Sequence, residues 1–283
     1  MNEHRRFIQE RFSSVRAETL EPVGDGWDSY TYEVDGEWIF QFPRLPGAEV
    51  SLRKQLAMLP ELAQELPALI PNPEHVSMDP PCMGYRKIEG APMSSMDAIG
   101  DGFWPERLGR FLFDLHLVPP EFVGMRMIEP AAWRDRHRLL LDVFRERVCP
   151  LLTAPERAGS EAMFAAFLGD DRTARFAPGL IHHDLGPTHV LVSGSGDLAG
   201  VIDWGDAEIG DPAADFAWLL FGTPVAGERA LAAYGGEADA GFRDRGRFYH
   251  RLGPWHEVLY GLDTEQPRFV ERGLAGLRER LAD

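Results

Sequence analysis

The residues that can do chemistry are concentrated in one stretch. From position 182 the chain reads H-H-D-L-G-P-T-H-V-L-V, and from position 200 G-V-I-D-W-G-D-A-E-I-G-D-P-A-A-D. Asp184 and Asp203 stand nineteen residues apart across a β-rich segment. Two carboxylates so placed can serve one reaction. The first, on a loop, orients a hydroxyl group and takes its proton. The second, at the end of the next strand, reaches magnesium, a hard cation that prefers oxygen ligands. Phosphoryl transfer needs these parts: a positioned acceptor hydroxyl, metal on the phosphates and a cradle for the developing charge. A loop of this kind places a further metal ligand five positions after its carboxylate, and that residue is His189.

The flanking pattern says how these side chains are held. V-L-V and A-G-V-I-D-W flank a Gly-Ser-Gly-Asp turn and predict a hairpin. Asp211-Pro212 reads as a cap followed by proline at the first helical position, opening a helix through Phe221. Asp211 and Asp215 are support residues in this reading. Nearer the N-terminus, T-Y-E-V-D-G-E-W-I-F-Q-F-P holds two strands about the Asp35-Gly36 turn. The glycine-bearing turn V-G-D-G-W-D-S precedes them. A helix is predicted from Ala48 to about Gln64 on apolar positions Val50, Leu52, Leu56, Leu59 and Leu62. Pro71 and Pro73 end it, and M-G-Y-R-K-I-E-G forms a strand running into a linker near Gly90–Pro92. From Trp104 the pattern is helical: Leu108, Phe111, Leu112 and Leu115 share a face that ends at His116. Pro130–Val148, Pro155–Leu168 and the chain beyond Asp211 read as helix too. A β-rich first third before a helical remainder predicts an α+β protein of two lobes, residues 1–90 and 91–283.

Composition removes several classes. No G-x-x-x-x-G-K-[ST] or G-x-S-x-G run occurs, the nine histidines are scattered, and His182-His183 without cysteines beside it is no zinc site. No apolar run is long enough to span a bilayer, and the charged N-terminal segment has no apolar leader. Cys82 and Cys149 read as free thiols of a reducing compartment, so a cytoplasmic location is expected, with no membrane partner. The net charge of −16 disfavours nucleic acid. It suits a cationic ligand, or serves solubility.

The two motifs around Asp184 and Asp203 resemble the signature of the aminoglycoside phosphotransferases and their relatives. The resemblance extends more loosely to G-D-G-W-D-S-Y-T-Y-E-V as a nucleotide loop, to W-I-F-Q-F-P-R as the following strand, to Y-R-K-I-E-G as a hinge and to Leu115-His116. It implies a bilobal protein-kinase-like fold. An N-lobe of antiparallel sheet plus one helix would bind nucleotide, and a mostly helical C-lobe would hold the acceptor. It further implies ATP or GTP as phosphate donor, Mg2+ as cofactor, Asp184 as catalytic base, and Asp203 with His189 as metal ligands. Most members have asparagine where His189 stands. Histidine there is similar to the aminoglycoside 2''- and macrolide phosphotransferases. Tyr85, Lys87 and Ile88 fall in the hinge that meets the nucleotide. Asp215 would brace the catalytic loop through backbone hydrogen bonds. Asp206 and Glu208 would face a cationic substrate, or be solvated acids.

One departure concerns the nucleotide phosphates. Kinases grip them with a strand cation held by a helix glutamate. Here Gln41 takes the strand position and Gln55 the helix position. The only lysines are Lys54 and Lys87, so Arg44, Arg53 or Lys54 must supply the charge, or magnesium carries it alone. The expected acceptor is a hydroxyl-bearing antibiotic: an aminoglycoside first, a basic cyclic peptide such as capreomycin or viomycin second, a macrolide third. The alternatives are a metabolic small-molecule kinase on the same fold, or a catalytically degenerate nucleotide-binding relative. If the acidity recruits a cationic acceptor, kcat/KM will fall as salt shortens the screening length from about 30 Å at 0.01 M to about 10 Å at 0.1 M. A flat salt profile at fixed magnesium would leave the charge as a solubility feature.

Overall fold

The computed structural model of the chain describes residues 3–23, 28–95, 102–236 and 238–282. In order, these form α1 (Glu3–Arg11), β1 (Leu20–Pro22), β2 (Ser29–Val34), β3 (Trp38–Pro43), α2 (Pro46–Glu65), β4 (Pro73–Met78), β5 (Pro81–Arg86) and β6 (Ala91–Pro92). There follow α3 (Trp104–His116), α4 (Pro130–Arg147), α5 (Ala154–Gly169), β7 (Gly179–Ile181), β8 (Val190–Val192), β9 (Leu198–Val201) and β10 (Glu208–Gly210). The chain ends in α6 (Ala217–Gly222), α7 (Pro224–Ala233), α8 (Phe242–Asp263) and α9 (Pro267–Ala282). No helix among the described residues is long and apolar enough to cross a membrane.

Two compact units result, and a single cut near residue 90 does not separate them. The first comprises residues 1–107, 121–125 and 186–207, and the second comprises 108–120, 126–185 and 208–283. Strand pairing explains the difference. β8 pairs with β6 and β9, and Val201 N–H donates to Leu69 O at 2.9 Å. The segment carrying His189 and Asp203 is therefore bonded into the first unit.

That unit is built on an antiparallel sheet in the order β1-β2-β3-β5-β4. The β2–β3 turn needs left-handed backbone at both central positions, and Asp35 (φ 55°) and Gly36 (φ 70°) supply it. Trp38, Phe40 and Phe42 point to one face, where they pack with Ile8, Val15, Tyr32, Val34 and Cys82. Strand alternation sends Ile39 and Gln41 to the other face. Helix α2 starts at Pro46, ahead of the apolar pattern, because proline's fixed φ suits the first helical turn. Its buried positions are Ala48, Leu52, Gln55, Met58, Leu59 and Leu62. Val50, read as an apolar-face position, is instead 70% exposed.

The second unit is helical around the two-stranded ribbon β7–β10, in which Glu208 faces Ile181 and Gly210 faces Gly179. Its main core gathers Phe144, Phe164, Phe167, Phe248, Trp255 and Leu277. The helix predicted from Pro212 to Phe221 is broken in two. Asp211 caps a 3-10 turn over Pro212–Ala214, accepting from Ala213 N–H at 3.1 Å, and α6 begins only at Ala217. Between them Asp215 turns its side chain towards the loop after β7, as described below.

Asp211 also anchors an ionic network. Arg245, fully buried, donates through Nε to Asp211 Oδ2 at 2.5 Å and through Nη2 to Asp239 Oδ2 at 2.7 Å, while Tyr249 OH donates to Asp211 at 2.8 Å. Removing one member of a buried pair leaves an uncompensated charge. Arg245→Met is expected to destabilise by about 3–5 kcal/mol in urea denaturation. Arg243→Met, which breaks only the exposed pair with Glu228, is expected to cost about 1 kcal/mol or less.

Candidate active site

In the second unit β7 delivers the H-H-D sequence. The carboxylate of Asp215, itself fully buried, meets it from below. Oδ2 accepts from His182 N–H and Oδ1 from His183 N–H, both at 2.8 Å. His116, at the end of α3, places Nε2 3.1 Å from Oδ2 and Nδ1 2.9 Å from Tyr234 OH. If Nε2 carries the proton, the imidazole donates to the carboxylate and accepts from the phenol. Burial opposes the Asp215 charge, but the hydrogen bonds from His116 and the His182 amide outweigh it and hold the group below its ordinary range. Two consecutive amides are thus fixed immediately before Asp184. The bracing expected of Asp215 is present as these two bonds.

Glu208 has a different environment from the one anticipated. On β10, its carboxylate receives Arg136 in bidentate fashion, Nη1 to Oε2 and Nη2 to Oε1, both at 2.8 Å. His183 Nδ1 lies 2.7 Å from Oε1. Arg136 in turn stacks over the Trp133 ring at 4.2 Å. Glu208 is therefore neither a bare acid awaiting a cation nor a merely solvated one. Burial works against its charge, yet the His183 and Arg136 hydrogen bonds prevail and bring it down to about 2. Asp206, its neighbour in the motif, is exposed.

The other half of the motif lies in the first unit. His189 N–H donates to Gly186 O at 3.0 Å, and Ile202 N–H donates to His189 O at 2.9 Å, so the loop and the end of β9 are stitched together. This brings His189 Nε2 to 3.6 Å from Asp203 Oδ2. Asp203 has left-handed backbone (φ 66°), a conformation that aspartate tolerates better than most residues. An exposed carboxylate beside an imidazole nitrogen fits a divalent cation, with the oxygen as the ligand magnesium favours.

One face of α2 grips the loop that follows. Ser51 Oγ donates to Gly205 O and Lys54 Nζ to Ala207 O, each at 2.8 Å. A Cβ at Gly205 would lie 3.1 Å from Ser51 Oγ, 3.7 Å from Asp203 Oδ1 and 3.9 Å from Gln55 Nε2, so glycine permits this approach. Lys54, considered above as a phosphate cation, is directed at this backbone. Arg53 pairs with Glu49 on the exposed side of α2, and Arg44 stacks on Tyr30 at 4.4 Å. Asp28 joins the acidic side of the loop: its carboxyl is raised by burial and by the nearby Asp206 and Asp203 charges.

The hinge residues lie at and just beyond the end of β5. Tyr85 and Ile88 are buried. Burial, with Asp203 adding to it, pushes the Tyr85 hydroxyl up. Lys87 donates its N–H to Glu37 O at 2.9 Å and places Nζ 3.0 Å from Glu33. The glycine-bearing turn proposed for the nucleotide falls largely on residues 24–27, outside the described residues. Ser51 and Arg136 belong to no motif of the sequence. Ser51, Lys54 and Gln55 share helical spacing i, i+3, i+4, which was a legible signal for a polar face. Nothing local marks Arg136, whose partner lies 72 residues away.

The model of the Phosphotransferase enzyme family matches residues 19–250, and the chain belongs to that family. Among curated proteins, viomycin phosphotransferase of Streptomyces vinaceus is 30% identical over 209 residues, covering 71% of this chain and 70% of that protein. Among solved structures, the GDP and kanamycin complex of APH(2")-IIia superposes with a TM-score of 0.88 at 26% identity, covering 99% of this chain and 98% of that one. The macrolide 2'-phosphotransferase MphH of Brachybacterium faecium shares the fold, with a TM-score of 0.76 at 22% identity over 98% of both chains. The expected α+β, kinase-like fold is thereby established, with an N-terminal antiparallel sheet and a helical C-terminal part.

The Glu208 environment yields a pH dependence. Its folded value lies at about 2, below the ordinary 4.5, so between these the unfolded chain binds the extra proton. The stabilisation is fully present above pH 4.5 and is lost as pH falls towards 2. Urea denaturation of wild type and Glu208→Gln should therefore show a stability gap that is widest near neutrality and closes through that acid window. A gap independent of pH would contradict the assignment.

Proposed function

We propose that the protein is a small-molecule kinase that moves the γ-phosphate of ATP or GTP onto a hydroxyl of a cationic antibiotic, an aminoglycoside or a basic cyclic peptide. The observation that carries this reading is the brace of Asp215 on the His182 and His183 amides. It presents Asp184 on a rigid support, as a base needs. Asp184 orients the acceptor hydroxyl and takes its proton as the oxygen bonds to the γ-phosphorus. The bond from that phosphorus to the β–γ bridging oxygen breaks, and the nucleoside diphosphate departs. Asp203 and His189 would hold magnesium, which would supply positive charge against the phosphates. Gln41, on the sheet face away from the aromatic core, and the hinge residues Tyr85, Lys87 and Ile88 line the nucleotide. The viomycin-directed relative and the kanamycin-bound neighbour both support a polycationic acceptor. So does the net charge of −16, to which exposed Asp206 contributes. A cytoplasmic site of action belongs to this reading.

A second reading, a nucleotide-binding relative with weak turnover, rests on Gln41 and Gln55, which set no charge on the phosphates. A mass-shift screen separates the two. The purified protein is given magnesium, ATP or GTP, and a panel containing viomycin, kanamycin and a macrolide. The proposal expects a phosphoryl adduct on a cationic member. Asp184→Asn should lower kcat by about 10²–10⁴-fold with nucleotide affinity unchanged. Asp203→Ala should abolish magnesium-dependent nucleotide binding, whereas His189→Asn, which offers an oxygen ligand, should stay active. Near-full kcat in Asp184→Asn would remove the base assignment.

A further inference from the structure

His183, the residue immediately before Asp184, has a backbone φ of 69°. Histidine enters this left-handed region more often than most side-chain-bearing residues, yet a non-glycine residue there is still uncommon, because its Cβ crowds the carbonyl oxygen. Such a conformation persists only where the surroundings over-determine it. Asp215 holds the amide on one side of His183. The ring is held separately, by Glu208 at 2.7 Å. A chain of contacts running back to the core fixes Glu208 in turn. Arg136 grips both its oxygens, and Trp133 underlies Arg136. Trp133 donates Nε1–H to Tyr249 OH at 2.9 Å and packs so closely on β10 that a Cβ at Gly210 would lie 2.5 Å from its ring. The antiparallel register places Glu208 opposite Ile181, two residues before His183.

We infer that Glu208 is a positioning residue: by clamping the His183 ring it keeps that residue left-handed and so aims the Asp184 carboxylate. Relaxation of His183 to negative φ would turn the peptide that joins it to Asp184. A small misplacement of a reacting group is enough to slow a reaction about 100-fold. This inference rests on Asp184 being the base, as proposed above. It gives Glu208 a task other than meeting a cationic acceptor.

Glycine separates the clamp from the conformation it enforces, since glycine adopts positive φ without help. Steady-state kinetics and thermal melting of Glu208→Ala, His183→Gly and the double variant test the idea. Glu208→Ala should lower kcat by about 10- to 100-fold with KM for nucleotide unchanged. Adding His183→Gly should restore most of that loss. Glu208→Gln, which still offers an oxygen to the ring N–H, should keep kcat close to wild type. The melting arm needs no turnover. His183→Gly should lower Tm in the wild-type background, where it removes a formed contact, and raise it in Glu208→Ala, where glycine regains the left-handed loop conformation that histidine has lost. A raised acceptor KM at constant kcat in Glu208→Ala would make Glu208 a substrate contact and overturn the inference. So would a His183→Gly effect of the same sign in both backgrounds. Full kcat in Asp184→Asn would instead bring down the base reading and leave the melting arm to judge the clamp.

Discussion

The carboxylate of Asp215 is the interaction on which the rest of the second unit's chemistry depends. It is a full charge in the interior, and such a charge is tolerated only when its lone pairs are satisfied. Two amides and an imidazole satisfy them. Because both amides belong to the H-H-D sequence, satisfying the charge and fixing the loop are one event. Asp215 does this from the junction between the 3-10 turn over Pro212–Ala214 and α6. His116, brought by the end of α3, and Tyr234, just beyond α7, complete the shell from two distant parts of the chain.

The first unit solves a related problem with a helix face. The loop after Asp203 turns Asp206 outward while its backbone takes support from α2. Ser51 and Lys54 provide it by donating to carbonyl oxygens, and Gly205 leaves room for them. A cation that a phosphate-binding role would have claimed is thus placed against the peptide backbone. Buried Gln55 fits this arrangement: β3 carries no cation, so a glutamate at position 55 would be a buried charge with no partner on that strand. Charge is managed in the second unit in the same manner. The Arg136–Glu208 pair and the Asp211–Arg245–Asp239 group neutralise acids close to the motif, so the net acidity is carried by exposed groups such as Asp206.

Much was legible from the sequence because it rests on short-range rules. Asp35-Gly36 sets a hairpin through backbone conformation, period-two alternation assigns Phe40 and Gln41 to opposite faces, and the apolar spacing of Leu108–Leu115 marks a helix face. The spacing of Asp184, His189 and Asp203 named a reaction class that the family match upholds at the level of phosphotransferase. What the tertiary structure alone decided depends on residues far apart in the chain. Glu208 looked like a free acid because its partner Arg136 lies 72 positions away, and Lys54 looked like a phosphate ligand because Ala207 lies 153 positions away. The membership of the segment 186–207 in the first unit follows from pairing with Pro92 and Leu69, which no local pattern announces. The left-handed backbone of His183 is the sharpest case: no local pattern announces it, and for a non-glycine residue it persists where the folded neighbours support it.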